Sequence, residues 1–186
     1  MEKLFHKLAK GTRWMSAACL ALCVFLFAAS LAVLAAEIVL RYGFNHPLQN
    51  IGEAVTIAFI YVYLVGGAAL YARNEDIAVD YFFRKVGVKP QALWLLLIYL
   101  AIAATMAVTL VETLKLIQVQ HGILTPALRL PLSIQHAALA VAAVVIIYAS
   151  VVEAIGCWIW FRSGRRPAVL EPHAEGLFGH LQEKAL

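Results

Sequence analysis

The sequence predicts an all-α integral membrane protein with four transmembrane helices, from its composition, its uncharged stretches and the placement of its basic residues. Of the 186 residues, 63% are hydrophobic and 14% are charged, whereas about a quarter of the residues are charged in an average soluble domain. Four stretches contain no Asp, Glu, Lys or Arg: Trp14–Ala36, Ala54–Ala72, Pro90–Val111 and Leu130–Val152. As an α-helix rising about 1.5 Å per residue, each stretch can cross a hydrocarbon core of about 30 Å. The segments between them are too short to fold as separate domains, which excludes most classes of soluble enzyme.

The basic residues predict the orientation of these spans. Four lie before the first stretch, four between the second and third and four after the fourth, against one and two in the other two segments. Cytoplasmic segments of membrane proteins are enriched in Lys and Arg. Both termini and the middle loop are therefore predicted to be cytoplasmic. The same placement explains the net charge of +4 without nucleic acid as a partner.

A basic segment precedes the first stretch, and on a helix its leucines and its lysines would lie on different faces. This pattern predicts an interfacial amphipathic helix over residues 1–13, or equally a plain basic flank that sets the topology. A cleaved signal peptide is the alternative for the first stretch, but its apolar region would span only about 7–15 residues. The stretch here is 23 residues long, which favours a retained span.

The remaining elements follow from turn signals and charge. Asn45, His46 and Pro47 predict an outer turn after the first span. The inner loop over residues 73–89 alternates charged with apolar residues, which predicts a second short interfacial helix that ends where Pro90 opens the third span. The predicted organisation is an interfacial helix at 1–13, a transmembrane domain at 14–161 with spans at about 14–40, 52–72, 90–118 and 132–161, and a polar cytoplasmic tail at 162–186.

No residue pattern indicates a catalytic group, a metal site or a cofactor. A b-type haem commonly takes two histidine ligands from facing helices, and only His136 lies within a predicted span. We expect His136 to be hydrogen-bonded inside the protein. The cysteines at positions 19, 23 and 157 show no CxxC spacing, so they are expected to be buried as small apolar residues. A membrane anchor or electron-transfer subunit of an inner-membrane enzyme complex is the alternative function, and it would need paired histidines or clustered acids that the spans lack.

Acidic residues lie at the ends of the spans. Glu37 is four residues before Arg41, so the two can pair on one helix face, and Glu153 is the deepest acid. A transport pathway needs a chain of ionisable groups at membrane depth, which the uncharged stretches do not provide. This favours an accessory subunit over an autonomous transporter or channel. The residues predicted to make structural polar contacts are Glu37, Arg41, Tyr42, Glu53, Arg73, Asp76 and Asp80.

Small residues in the first two spans predict close helix packing. Small side chains let helix backbones approach in lipid, where the hydrophobic effect does not drive association. The same residues could serve packing within the four helices or packing on a partner. The candidate packing residues are Ala28, Ala32, Ala36, Gly66 and Gly67.

Several short motifs occur in an order that matches a known family. They are Arg41-Tyr42-Gly43-Phe44, Glu53, Gly67-Ala68-Ala69, Arg73, Ile77-Ala78-Val79-Asp80 and Leu124-Thr125-Pro126-Ala127-Leu128-Arg129-Leu130-Pro131. Together they resemble the small membrane subunit, of DctQ type, of tripartite ATP-independent periplasmic (TRAP) transporters. The chain departs from the usual family pattern at Ile51-Gly52, where a tryptophan is common, and at Asp76, where a histidine is common.

The resemblance implies a bacterial inner-membrane protein that works with two partners. A periplasmic binding protein would capture an organic anion, commonly a carboxylate, and a large membrane subunit would move it by an elevator-like motion driven by a sodium gradient. The small subunit would pack on the scaffold of the large one. Its outer loops, near His46, Gln49 and Arg129, would form part of the landing surface for the binding protein, although plain solvation explains these residues equally well.

Overall fold

Four long α-helices make up the protein in a computed structural model that describes residues 2–45, 51–73 and 88–163. The helices are α1 (Glu2–Gly43), α2 (Ile51–Tyr71), α3 (Val88–Gln120) and α4 (Ser133–Ser163). Each contains a segment that is long and apolar enough to cross a membrane. The predicted all-α architecture with four candidate spans is confirmed, and the described residues contain no strand beyond one isolated bridge between Leu124 and Pro131.

Helix α1 is longer than the predicted first span. It runs without interruption through 42 residues, about twice the thickness of the hydrocarbon core. Residues 2–13 are therefore the first turns of the same helix as the span, and their placement at the membrane surface stays a prediction. At the far end the amide of Phe44 bonds the carbonyl of Leu40 at 3.2 Å, and Asn45 takes a positive φ of 55°. Asparagine tolerates this left-handed conformation better than most residues, so the helix stops there.

The first turns of the other helices contain residues or hydrogen bonds that favour the start of a helix. Glu53 lies in the first turn of α2, where a negative charge is favoured by the helix dipole. Pro90 lies in the first turn of α3, where its missing N–H costs no hydrogen bond. Before α4, the amide of Ile134 bonds the carbonyl of Pro131 at 3.1 Å. The middle loop and the tail fall almost wholly outside the described residues, as do their predicted interfacial and polar structures.

The helices pack as two antiparallel hairpins joined through α2 and α4. Helix α1 lies against α2, α3 lies against α4, and α2 meets α4. Tyr61 of α2 bonds the carbonyl of Ile134, and Tyr71 bonds Ser150, so α2 and α4 run in the same direction. We call outer the end that carries the α1–α2 connection and the α3–α4 loop, and inner the opposite end.

The core at the junction of α2 and α4 is built from small side chains. Its buried members are Ala68, Ala72, Ala142, Val145 and Ala149, with Met15, Cys19, Leu64, Tyr71 and Ile146 packed around them. Alanine lets two helix backbones approach closely, so dispersion contacts hold the helices where lipid removes the hydrophobic driving force. Helix α3 lies at the edge of this arrangement, and the most apolar part of that helix contains no buried residue.

A second contact joins the first turns of α1 to the inner half of α4. Ala9 and Val152 are buried together, with Leu8, Tyr148 and Ile159 around them. The Tyr148 hydroxyl donates to the carbonyl of Leu8 at 3.3 Å, and a Cβ at Gly11 would lie 2.9 Å from that hydroxyl. Glycine at this position therefore lets the tyrosine reach the backbone of α1.

Candidate functional site

The α3–α4 loop at the outer end is a compact hydrogen-bonded turn. The amide of Thr125 bonds the carbonyl of Leu130 at 2.8 Å, and the amide of Leu132 bonds the carbonyl of Ile123 at 2.9 Å. The Thr125 hydroxyl accepts a further bond from the amide of Leu130 at 3.0 Å. This one side chain therefore satisfies a backbone donor that the turn would otherwise leave without a partner.

Glu53 of α2 ties this loop to the rest of the bundle. Its Oε2 accepts hydrogen bonds from the amide of Ala127 at 2.8 Å and from the amide of Leu128 at 3.0 Å. Two successive backbone N–H groups aimed at one oxygen form a concavity that favours an anion, and bonds to a carboxylate are stronger than bonds between neutral groups. We call this arrangement, Glu53 with residues 123–132, the outer cap.

The outer cap joins two motifs that the sequence offers separately. Glu53 and the residues that it binds are 74 and 75 positions apart. The sequence singled out both segments but gave no sign that they touch. The sequence places both on the same predicted side of the membrane, since Glu53 opens the second span and the turn bounded by Pro126 and Pro131 precedes the fourth.

Arg129 stands at the turn of the outer cap. Its φ is 51°, a left-handed conformation that residues other than glycine adopt at a cost. The amide of Arg129 bonds the carbonyl of Thr125 at 3.1 Å, which holds the backbone in this conformation. The side chain is exposed, so the fold presents a cation at the outer surface on a fixed backbone.

Beside the outer cap, polar side chains connect the end of α3 and the residue after it with α4. His136 Nε2 lies 2.6 Å from Gln120 Oε1, and His121 Nδ1 lies 3.3 Å from Ser133 Oγ. The expectation that His136 is hydrogen-bonded within the protein is confirmed. In the described ranges no group of three His, Cys, Asp or Glu side chains is placed to hold a metal ion.

Tyr61 forms a hydrogen bond between α2 and α4 at the outer end, and the loss of this bond should lower the stability of the chain measurably. The Tyr61 hydroxyl donates to the carbonyl of Ile134 at 2.8 Å. Tyr61→Phe should lower the free energy of unfolding of the isolated chain by about 0.6 kcal/mol and by no more than about 1.7 kcal/mol, the range for hydrogen bonds between membrane helices. Thermal unfolding in detergent measures this loss. Tyr63→Phe is the matched control, because no described residue bonds the Tyr63 hydroxyl, and an equal fall for both variants would contradict the assignment.

The predicted packing residues divide between the inside and the outside of the bundle. Gly66 is buried, and a Cβ there would lie 3.6 Å from Cys23 Sγ of α1, whereas Gly67 is exposed with nothing within 4 Å of such a Cβ. Ala28, Ala32 and Ala36 are all exposed. At 100° per residue they lie on the side of α1 opposite Cys23, so that face is not used for packing within the described bundle.

The predicted polar contacts are found in part. Arg41 places its guanidinium carbon 5.9 Å from the ring centre of the exposed Tyr42, within range of a cation–π contact. In the described chain it does not pair with Glu37, which is half-buried. Arg73 lies exposed just after α2 and takes part in a polar or ring contact. His46, Gln49, Asp76 and Asp80 lie outside the described residues.

At the inner end, α4 contributes a buried polar group. Glu153 is 9% exposed, one turn from the fully buried Ser150, whose hydroxyl is 2.8 Å from that of Tyr71. Glu153 also takes part in a contact. An acid buried without a partner is costly, so the contact that Glu153 makes fits a structural role.

The chain matches the model of a known protein family. Residues 30–159 match the model of a family described as "Tripartite ATP-independent periplasmic transporters, DctQ component". The matched segment covers more than half of the chain and includes the outer cap. No curated protein sequence matches the chain.

Proposed function

The chain belongs to the DctQ component family of tripartite ATP-independent periplasmic transporters, and from that premise we propose that it is the non-catalytic small membrane subunit of such a transporter. It sits in the bacterial inner membrane with both termini in the cytoplasm. It packs on the large membrane subunit and enlarges the scaffold against which the transporting part of that subunit moves. The positive-inside pattern of basic residues supports the orientation.

The scaffold role is supported above all by the uncharged surface of the spans. A pathway for an ion or an organic anion needs ionisable groups in sequence across the membrane, and the four apolar stretches contain no Asp, Glu, Lys or Arg. What the helices offer instead is a small-residue core and long exposed apolar faces. Such faces suit lipid or the helices of a partner.

Gly67 gives a test of the packing surface. Gly67→Leu should reduce the amount of large subunit that co-purifies with the tagged chain, because a bulky side chain would hold a partner helix away from an exposed small-residue position. The thermal stability of the isolated chain should stay unchanged, since nothing lies within 4 Å of a Cβ at this position.

Gly66→Leu is the matched variant for that experiment. Its side chain would meet Cys23 of α1, so the isolated chain itself should lose stability. An unchanged yield of complex with Gly67→Leu would show that this part of α2 faces lipid.

The outer surface is proposed to receive the periplasmic binding protein. The outer cap supports this because it fixes the exposed Arg129 on hydrogen-bonded backbone, and a positioned cation attracts an acidic partner surface. His46 and Gln49, at the same predicted side, belong to the proposed surface.

The transported species is proposed to be an organic anion, moved with sodium. The experiment uses the complete system, namely this chain, its co-purifying large subunit and the cognate binding protein, in proteoliposomes. Thermal shift of the binding protein with a panel of carboxylates identifies the labelled anion to use. We expect uptake only with all three proteins and an inward sodium gradient, and none with potassium in its place.

Two results would overturn the proposed function. Uptake by this chain alone would exclude the accessory role. A haem absorption band in the purified chain, with no large membrane protein co-purifying in mild detergent, would favour an electron-transfer subunit instead.

A further inference from the structure

Tyr63 differs from the other membrane-embedded hydroxyl groups of the described chain. Tyr61, Tyr71 and Tyr148 each hydrogen-bond another helix through their hydroxyls. The hydroxyls of Ser30, Thr56, Thr105, Thr109 and Thr113 each bond the carbonyl four residues earlier in their own helix. The side chain of Tyr63 is 80% exposed, and no described residue bonds its hydroxyl.

The position of Tyr63 along α2 makes this exposure costly. Helix α2 has 21 residues, so Tyr63 lies about 18 Å from its outer end and about 12 Å from its inner end. A tyrosine on a helix leans toward the N-terminus, which here is the more distant end. The hydroxyl is therefore held within the hydrocarbon region, where no water is available and an unbonded polar group is disfavoured.

The surface around Tyr63 is an open flank of α2. Gly52, Thr56, Gly67 and Leu70 are exposed and lie within about 40° of Tyr63 around the helix axis at 100° per residue. Gly66 of the α1-facing side and Ala68 of the α4-facing side are buried. The flank is thus a strip between two packed sides, with a hydroxyl at its centre and a glycine one turn away.

We propose that a transmembrane helix of the large subunit packs along this flank and accepts a hydrogen bond from the Tyr63 hydroxyl. This assignment rests on the proposed function, which supplies the partner. The partner helix presents an acceptor, a backbone carbonyl or a Ser, Thr or Asn side-chain oxygen, at the level of Tyr63. Gly67 allows the two backbones to approach, because it adds no side chain to the strip.

The need for a hydrogen-bond acceptor at Tyr63 favours a protein helix over lipid as the occupant of this flank. Acyl chains offer no hydrogen-bond acceptor at this depth, whereas a helix of a polytopic protein can. A second copy of this chain could cover the same flank, and the experiment distinguishes it.

Two measurements on the complete complex test the proposal. First, a benzoylphenylalanine placed at position 63 should, on illumination, give an adduct between this chain and the large subunit. Second, Tyr63→Phe should reduce the large subunit retained in mild detergent by about threefold, the fold-change that corresponds to an average hydrogen bond between membrane helices, without changing the thermal stability of the isolated chain.

Tyr42 provides the matched control, because it is also 80% exposed but lies at the outer end of α1. Tyr42→Phe should leave the retained amount unchanged. Adducts of position 63 with lipid alone or with a second copy of this chain would overturn the proposal, as would normal retention of the large subunit by Tyr63→Phe. If the unaltered chain retains no large subunit, the proposed function itself fails, and that result is separate from either of these.

Discussion

Glu53→Ala is expected to open the outer cap and to expose its backbone to protease. The substitution removes the carboxylate oxygen that accepts the amides of Ala127 and Leu128, and two backbone donors then lose a charged acceptor. Trypsin cuts after arginine, and cleavage at Arg129 requires local opening of the turn. Cleavage there should therefore become about tenfold faster or more, as measured by mass spectrometry of the detergent-solubilised chain.

Global stability should fall as well, because Glu53 fastens the α3–α4 loop to α2. The midpoint of thermal unfolding should decrease by several degrees. The buried thiols of Cys23 and Cys157 allow this to be followed with a thiol-reactive dye. Glu53→Gln should give an intermediate result, because its amide oxygen can still accept the two N–H groups, although it is uncharged and its amide group replaces an enclosed Oε1.

Glu112→Ala is the control for the loss of an acid near the outer end. Glu112 Oε1 pairs with Lys115 at 2.8 Å, but both side chains are more than 60% exposed, and such surface pairs contribute little. Neither the cleavage rate at Arg129 nor the unfolding midpoint should change. Equal behaviour of Glu53→Ala and Glu112→Ala would mean that the outer cap is not held by the carboxylate.

Ala142→Leu is expected to separate the two hairpins. Ala142 is 3% exposed in the small-residue core shared with Ala68 and Ala149. The larger side chain has no space there, and overpacking of this kind costs up to about 3 kcal/mol. For a chain of this size that maximum corresponds to a fall of about 6 to 12 °C in the unfolding midpoint.

Val141→Leu is the matched control, one position earlier on the exposed side of α4. It adds bulk to a side chain that is 45% exposed, so the midpoint should stay within about one degree. Should Ala142→Leu fail to accumulate, Ala142→Gly serves instead, since loss of the buried methyl group also weakens this contact. Unaltered stability of both Ala142 variants would contradict the close approach of α2 and α4.

Both effects bear on the proposed role of the protein. A scaffold must keep its shape while a partner moves, and two features give this bundle its shape. The alanine-rich junction fixes the distance between the hairpins, and the outer cap fixes the loop that connects α3 and α4. Neither feature provides a path of charged groups across the membrane.

The number of candidate spans, and the bounds of two of them to within two residues, followed from the sequence. The predicted spans at 52–72 and 132–161 differ by one or two residues from α2 and α4. A membrane span is recognised from the apolar composition of one continuous segment, so it can be predicted without knowing which residues contact each other. The prediction for the first span was less complete, because nothing in the basic segment marks a boundary and α1 continues through it.

The identity of the family was also available from the sequence. Short motifs around Arg41, Glu53 and Leu124–Pro131 carried the resemblance, and the family match over residues 30–159 confirms it. A motif is recognised by the type and order of its residues, and both can be seen without the three-dimensional structure. The contacts between the motifs depend on the three-dimensional structure, so the sequence alone did not reveal them.

Only the tertiary structure decided which faces of the helices are inside. Gly66 and Gly67 are adjacent and chemically identical, yet the first packs on α1 and the second faces outward. In a soluble protein the polar face of a helix reveals its orientation, but these spans are apolar on every side. Their rotation, and with it the meeting of Glu53 with Ala127 and Leu128, depends on close packing between helices distant in sequence, because membrane helices are oriented by shape and by single hydrogen bonds rather than by hydrophobicity.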